Sequence, residues 1–314
     1  MKILRFLGTG ASHEAKGQAC QDRILTETFA DGKTILAVAD GCSSSLYGGE
    51  AAQCNVQVVR DIFSRCNIGS LDFSVFAELY PGIKKVERTY REDLTACFDF
   101  AFKTSLFELS KKMTNENTLR FQFEDYCATV LFAVCEKEKT FIGHVGDGNI
   151  ICFDKNGNVV YHSKEENGPD SSHTYFTARS DFYKYFHYDV IDSSDIECIV
   201  MFSDGPQRMF KGECGDILTG VRELIALPVL NGEINSDKDL FEVLKERIGH
   251  AKSYIYDDWS LIVACRESEK EGKKEPISLN DLFMESFNKI KFDDFGNIIS
   301  DGKDHCLWNA KSYK

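Results

Sequence analysis

The sequence predicts an α+β fold in which helices pack on the outside of largely antiparallel sheets. Short apolar segments of strand type occur in blocks along the chain, and amphipathic segments of helical type occur in other blocks between them. Several strand segments lie only a few residues apart. Parallel neighbours need a long crossover connection, so this close spacing indicates antiparallel pairing.

Length and composition are those of a folded protein. The chain has 314 residues, enough for one large domain or two small ones, and 43% of them are hydrophobic. The net charge is −13. Binding to nucleic acid depends on Lys and Arg that neutralise phosphates, so this acidic chain lacks the electrostatic basis for it.

The cysteines indicate a reducing compartment. There are twelve, and none forms a CxxC pair, which argues against a zinc ribbon or a redox dithiol. Half lie in apolar runs: Cys97, Cys127, Cys135, Cys152, Cys198 and Cys265. The N-terminal apolar run is too short for a secretory signal, and no stretch reaches the ~20 apolar residues of a membrane span. We therefore expect buried free thiols in a cytoplasmic protein.

Strands and turns follow from apolar runs and Asx-Gly pairs. Strands are predicted over 3–7, 33–39, 128–135, 139–146, 149–153, 157–162, 196–202 and 260–265. Asp147-Gly148 and Asn156-Gly157 each separate two of these runs by about the length of a tight turn. Both pairs are therefore predicted to be hairpins.

Helices are predicted where apolar residues recur at helical spacing. The segments are 50–64, 92–113 and 237–249. Ser236 precedes the last of them, with Asp239 three residues on. That pattern predicts an N-cap.

Two segments depart from these patterns. Residues 163–195 are polar and aromatic without a clear period, which predicts a long irregular insertion. Residues 266–276 contain eight charged residues in eleven and are interpreted as a linker. We therefore divide the chain into one folded domain at 1–265, this linker, and a tail at 277–314 of unknown role.

Acidic residues stand repeatedly at the ends of apolar strands. Asp40, Asp147 and Asp204 each follow such a strand and precede a glycine, and Asp257 stands directly before another. Any one Asp-Gly pair could be an ordinary turn. Four together predict carboxylates that converge at one sheet edge and need a cation to relieve their repulsion. Oxygen ligands without nearby His or Cys favour Mg²⁺ or Mn²⁺ over Zn²⁺.

The motif series resembles that of the protein phosphatase 2C family. The motifs are CQD (20–22), VADG (38–41), GGEAA (48–52), ATV (128–130), VGDG (145–148), SDG (203–205) and DDWSLIV (257–263). Gly10-Ala11-Ser12-His13 is similar to the opening of a divergent bacterial branch. The resemblance covers about residues 1–265. It implies a four-layer sandwich, with two central antiparallel sheets flanked by helices and a metal site at one end.

The resemblance also implies an activity and its metal ligands. The chain would hydrolyse phosphoserine and phosphothreonine in proteins with a metal-activated water, acting in signalling beside a cognate kinase. Asp40 would bridge two Mn²⁺ or Mg²⁺ ions, and the carbonyl of Gly41 would bind the second ion. Asp204 and Asp257 would complete the site of the first. Asp147 would serve a third, weaker ion.

Two further residues of the motif series have supporting places. Asp22 would hold water beside the metals and is included among the catalytic residues with Asp40. Thr129 resembles a buried position that supports the site, and an ordinary core threonine is an equally good interpretation.

Three positions depart from the family pattern. Gln21 replaces a usual glutamate and would be a weaker metal ligand. Gly17 replaces a phosphate-binding arginine, and Cys42 replaces a histidine proposed to protonate the leaving group. His13 and Lys16 are the predicted substitutes: both would bind substrate, and His13 would also act in catalysis.

Two other functions stay open at this stage. Gln21, Gly17 and Cys42 are compatible with a pseudophosphatase that serves as a binding or regulatory module. A phosphatase acting on a small phosphorylated metabolite is also compatible, because the 163–195 insertion would decide the choice of substrate.

Overall fold

Two five-stranded antiparallel sheets stack at the centre of the computed structural model. Their strands are β1 (Lys2–Gly8), β2 (Arg23–Thr28), β3 (Thr34–Ala39), β4 (Val130–Cys135), β5 (Lys139–Val145), β6 (Asn149–Phe153), β7 (Val159–His162), β8 (His187–Asp192), β9 (Cys198–Phe202) and β10 (Trp259–Cys265). Sheet I has the order β1-β10-β9-β6-β7, and sheet II has the order β2-β3-β4-β5-β8.

Helices cover the outer faces of both sheets. They are α1 (Ala11–Lys16), α2 (Gly48–Phe63), α3 (Phe73–Leu79), α4 (Leu94–Met113), α5 (Gln207–Cys214), α6 (Ile217–Val221), α7 (Leu227–Leu230) and α8 (Asp237–Ala251). A π-helical turn, Arg222–Ala226, joins α6 to α7. At the start of α8, Ser236 and Asp239 exchange hydrogen bonds of 3.1 and 2.9 Å, which confirms the predicted N-cap.

The structure describes residues 1–86, 93–113, 122–163, 174–214, 216–251 and 257–266, and two short strands at 291–292 and 298–299. Apart from Arg266, the predicted linker lies outside these ranges, as does most of the tail.

Three apolar layers hold the sandwich together. Between the sheets, Leu36, Val38 and Leu131 of sheet II pack against Ile150, Met201 and Ile262 of sheet I. The outer face of sheet II packs on α2, α3 and α4, and the outer face of sheet I packs on the helices that follow β9. The predicted four-layer α+β sandwich is confirmed.

The strand prediction was wrong at three places. It omitted β2, which pairs with β3 at the edge of sheet II. Asp147-Gly148 is not a hairpin, because β5 belongs to sheet II and β6 to sheet I, so the chain crosses between the sheets there. The insertion is not wholly irregular, because β8 pairs with β5 at the edge of sheet II. Asn156-Gly157 does turn β6 back onto β7, with Gly157 at a φ of 75°.

Ten cysteines whose side chains the structure describes are free thiols, six of them buried and four partly exposed. Cys198 and Cys265 are cross-strand partners in sheet I, with their sulfur atoms 2.6 Å apart. Within the described part of the chain, no helix has the length and hydropathy to cross a membrane.

Candidate active site

Five aspartates lie around one end of the sandwich because five strands begin or end there. Asp40, Asp147 and Asp204 follow the last residues of β3, β5 and β9. Asp22 and Asp257 come just before β2 and β10, which run in the opposite direction. Because neighbouring strands are antiparallel, the last residues of β3, β5 and β9 and the first residues of β2 and β10 lie at the same end of the sandwich.

Asp40 is held by the backbone and by Thr129. The Asp40 N–H donates to Thr129 Oγ1 at 3.0 Å, and the Thr129 N–H donates to the Asp40 carbonyl at 2.9 Å. Thr129 is 1% exposed. Its position beside Asp40 agrees with the supporting place implied by the family resemblance.

Gly41 needs the absence of a side chain. A Cβ at this position would lie 2.6 Å from backbone atoms of Gly48, and a Cβ at Gly48 would lie 2.6 Å from the Cys42 carbonyl oxygen. The backbone after Asp40 therefore packs directly on the start of α2. This close packing explains the two glycine motifs at 40–41 and 48–49 as one structural unit.

Asp22 is fully buried between the sheets. Its Oδ2 accepts a hydrogen bond of 2.8 Å from Ser260 Oγ, whereas its Oδ1 is buried without a hydrogen-bond partner among the described residues. Burial raises the pKa of Asp22 to about 6, and hydrogen bonds from Ser203 and Ser260 oppose that rise.

Repulsion among the carboxylates is visible in two further groups. Burial, followed by repulsion from Asp22, Asp204, Asp257 and Asp147, raises the pKa of Asp40 well above its usual range. Burial, followed by repulsion from Asp147 and Asp257, raises the pKa of Asp204 to about 8. Raised carboxyl pKa values are what a cation site without its cation is expected to show.

The donor set fits hard divalent cations. Gln21 Oε1, Asp22 Oδ1 and Asp204 Oδ1 are buried oxygen atoms without hydrogen-bond partners in the described part of the chain. In the whole described part of the chain, no group of three or more His, Cys, Asp or Glu side chains is arranged to hold a metal ion without other ligands. Mg²⁺ is often bound by one or two carboxylates, with waters as its other ligands, so a site with few carboxylate ligands suits this ion.

Asp257 and Asp258 have different places. The Asp257 side chain accepts the Asp258 N–H at 2.9 Å and is one of the charges that act on Asp40. Asp258 is 1% exposed, and its carboxylate accepts the backbone N–H groups of Gly10 and Gln21. A Cβ on Gly205 would clash with the Asp258 carbonyl oxygen, so the backbone of the SDG motif can pack on that of the DD motif only if residue 205 is glycine.

His13 is not at the open mouth of the site. Its side chain is 1% exposed, and its Nδ1 lies 2.8 Å from Asp258 Oδ2. An imidazole buried in this way cannot touch a bound phosphoester without a rearrangement, so its placement does not support the predicted contact with substrate. Lys16 is exposed at the last residue of α1, and its predicted contact with phosphate stays a prediction.

The insertion contributes both to the core and to the region beside the site. Phe182 and Phe186 are buried and pack on α4. The Tyr175 and Tyr185 rings stack with centroids 3.4 Å apart, and the Arg179 guanidinium lies 5.1 Å from the Tyr175 ring centre.

The start of this described segment is fixed next to the site. The Thr177 N–H donates to the carbonyl of Ala128, and its hydroxyl exchanges hydrogen bonds with the buried Asn55. The Asn55 amide also donates to the carbonyl of Thr129, the residue that holds Asp40. Tyr175 and its neighbours therefore lie close to the carboxylate cluster.

A family model for protein phosphatase 2C matches residues 9–244. The chain belongs to the protein phosphatase 2C family. The matched range includes six of the seven motifs and stops short of the DDWSLIV segment. No curated protein matches the chain in sequence.

Solved structures share the fold at low identity. A bacterial serine phosphatase superposes with a TM-score of 0.55 at 12% identity, covering 86% of this chain and 99% of its own. Stp1 from Staphylococcus aureus, a serine/threonine phosphatase, gives 0.56 at 12%, covering 85% and 96%. The catalytic domain of the serine/threonine phosphatase PstP, in complex with two manganese ions, gives 0.52 at 12%, covering 84% and 96%.

Sequence reasoning assigned no role to Asp258 or Ser260. A signal for both was available, since alternate residues of a strand share a face. Ile262 and Ala264 belong to the core between the sheets, and the same alternation places Asp258 and Ser260 on that side.

Proposed function

We propose that this member of the protein phosphatase 2C family is a metal-dependent phosphatase for phosphoserine and phosphothreonine in proteins. The observation that carries the proposal is the group of carboxylates around Asp40, which is partly buried, mutually repelling and supplied with unpartnered oxygen atoms. The catalytic unit is residues 1–265.

In this proposal the chain supplies oxygen ligands and a rigid frame. Asp40 would bind both ions, and the Gly41 carbonyl and Gln21 would bind the second. Asp204 and Asp257 would complete the site of the first. Asp147 serves a third, weaker site. The Thr129 hydrogen bonds and the packing of Gly41 on α2 keep the central carboxylate in place.

Two Mn²⁺ or Mg²⁺ ions, when bound, supply a water activated near neutral pH and positive charge that neutralises the phosphate. Support for this choice comes from the oxygen-only donor set and from the manganese bound by the PstP catalytic domain. Asp22 Oδ1 is free to accept a hydrogen bond from a water in the site. Lys16 is the proposed cation for the substrate phosphate.

The direct test is hydrolysis of phosphopeptides by the full chain with and without divalent metal. Chelation is expected to abolish phosphate release, and Mn²⁺ or Mg²⁺ is expected to restore it, because oxygen ligands exchange these ions readily. Phosphate release from phosphoserine peptides measures the effect. Full activity in excess chelator would contradict the two-metal proposal.

The same assay separates the proposed function from its alternatives. Preference for small phosphorylated metabolites over phosphopeptides would replace the protein substrate with a metabolite. Binding of Mn²⁺ without hydrolysis of either class would indicate a binding module.

The described part of the insertion offers a test of substrate selection. Deleting the whole insertion would remove β8 from sheet II, so a point variant is the better probe. Tyr185→Ala removes the ring stacked on Tyr175 beside the site. We expect it to change the ratio of kcat/KM values between phosphopeptides by about fivefold, equivalent to about 1 kcal/mol. Hydrolysis of a small aryl phosphate should stay the same.

Tyr188→Ala is the matched control, because that ring stacks on Phe141 of sheet II instead of on Tyr175. An equal loss on every substrate in the Tyr185 variant would indicate that the aromatic pair only stabilises the fold.

A further inference from the structure

Asp258 connects three groups of residues 10–22, here called the opening segment, to the start of β10. Its Oδ1 accepts the Gly10 N–H at 2.7 Å, and its Oδ2 accepts the Gln21 N–H at 2.5 Å. The same Oδ2 lies 2.8 Å from His13 Nδ1. Both side chains of this pair are 1% exposed.

These contacts join the two sheets at the end of the sandwich where the carboxylates around Asp40 lie. Asp258 precedes β10 in sheet I, whereas Gln21 leads into β2 in sheet II. The Ser260 hydroxyl, one strand repeat further along β10, donates to Asp22. Sheet I thus holds both the Gln21 backbone and the Asp22 side chain.

The Gln21 turn is also held by Arg23. Arg23 Nη1 donates to the carbonyls of Cys20 and Asp22, each at 2.7 Å, and these two carbonyls flank Gln21. In the described part of the chain no carboxylate forms an ion pair with Arg23. The side chain therefore acts on the backbone of the turn, which Asp258 also holds.

Burial of the pair needs an explanation other than stability. Removing a carboxylate and an imidazole from water has a large free-energy cost, and apolar residues of similar volume often give an equally stable core. Asp258 accepts the backbone N–H of Gln21, a proposed metal ligand, and the His13 imidazole lies against the same carboxylate oxygen. Groups behind metal ligands commonly set metal affinity by fixing the ligands' orientation.

We propose that Asp258 and His13 are positioning residues, which fix Gln21 and Asp22 relative to Asp257 and so set the affinity for the metal ions. This inference rests on the proposed metal site. It assigns a structural task to the histidine of the opening motif and to the second aspartate of the DD motif, and neither residue touches the substrate.

The decisive experiment compares Asp258→Asn with wild type in the full chain. Asparagine keeps the size of the side chain but replaces one acceptor oxygen with a donor, so it cannot accept from Gly10 and Gln21 together. In the metal-free protein, we expect faster hydrogen exchange at the Gly10 and Gln21 amides. Calorimetry with Mn²⁺ should show binding weakened about 10- to 100-fold. Turnover at saturating Mn²⁺ should stay within about threefold of wild type, far from the 10- to 100-fold loss in affinity.

Variants of His13 test the partner of Asp258. The amide nitrogen of asparagine lies near the place of the imidazole Nδ1, whereas that of glutamine lies near the place of Nε2. His13→Asn is therefore expected to retain most of the Mn²⁺ affinity, and His13→Gln is expected to lose it. Equal affinities in these two variants would overturn the part assigned to the Nδ1 contact.

Asp237→Asn is the matched control, since Asp237 also accepts a backbone N–H, that of Arg5, but at the start of α8. Unchanged exchange at Gly10 and Gln21 in Asp258→Asn would show that the contact does not hold the segment. Faster exchange with unchanged Mn²⁺ affinity would reduce Asp258 to a fold-stabilising residue. Wild-type protein that binds Mn²⁺ without releasing phosphate would overturn the proposed function alone.

Discussion

Asp40→Asn is expected to lower phosphopeptide turnover by about three orders of magnitude, equivalent to about 4 kcal/mol of transition-state stabilisation. Asp40 is the carboxylate on which repulsion from Asp22, Asp204, Asp257 and Asp147 converges. A neutral amide in its place would weaken the attraction for both ions. Steady-state kinetics at saturating Mn²⁺ measures the loss.

The same variant should be more stable than wild type in the absence of metal. Replacing the carboxylate removes the charge whose burial and repulsion raise its own pKa, so the unfolding midpoint in chelator should increase. Asp72→Asn serves as control, because Asp72 is an exposed N-cap of α3 and asparagine caps equally well. Near-wild-type turnover in Asp40→Asn would place the active centre elsewhere.

The second large effect is on stability as a function of pH. Without metal, the protein is expected to lose stability between about pH 4 and pH 8, with an unfolding midpoint lowered by roughly 5–10 °C. Asp22 has a pKa raised to about 6, and Asp204 one raised to about 8. Both values lie above the value of about 3.9 for an aspartate in an unfolded chain.

The sign follows from proton binding. Between the unfolded and folded pKa values, the native state binds more protons than the unfolded state, so stability falls as pH rises. For Asp22 this window ends near pH 6, and for Asp204 it ends near pH 8. Bound Mn²⁺ pairs with the ionised carboxylates and should remove the decline.

Thermal unfolding in chelator across this pH range, repeated with Mn²⁺, measures the effect. Asp204→Asn removes one of the titrating groups and should flatten the upper part of the curve, whereas Asp72→Asn should leave it as in wild type. A metal-free midpoint that is constant or rises from pH 6 to pH 8 would show that the carboxylates are not forced together.

The sequence by itself determined the class of fold and the group of aspartates that the structure brings together around Asp40. Apolar strands that end at Asp40 and Asp204 each carry their signal locally, in the alternation of the strand and in the glycine that follows. The N-cap at Ser236 and the turn at Asn156-Gly157 are local in the same way. A short segment contains all the interactions that fix such features.

Only the tertiary structure decided which sheet each strand joins. The Asp147-Gly148 segment has the composition of a hairpin, yet packing between the sheets sends β5 and β6 into different layers. The insertion likewise contains a strand, β8, because it pairs with β5 at the edge of sheet II, and this pairing cannot be seen in the sequence of the insertion. Strand pairing depends on the residues opposite, which can be far away along the chain.

The place of His13 was also a matter of tertiary structure. Its position in the opening motif predicted a group at the mouth of the site, but the imidazole is buried beside Asp258, a residue near the other end of the domain. The sequence alone does not show that His13 and Asp258 are in contact. The burial of a side chain and the residues that it contacts are properties of the packed chain, and a local motif does not determine them.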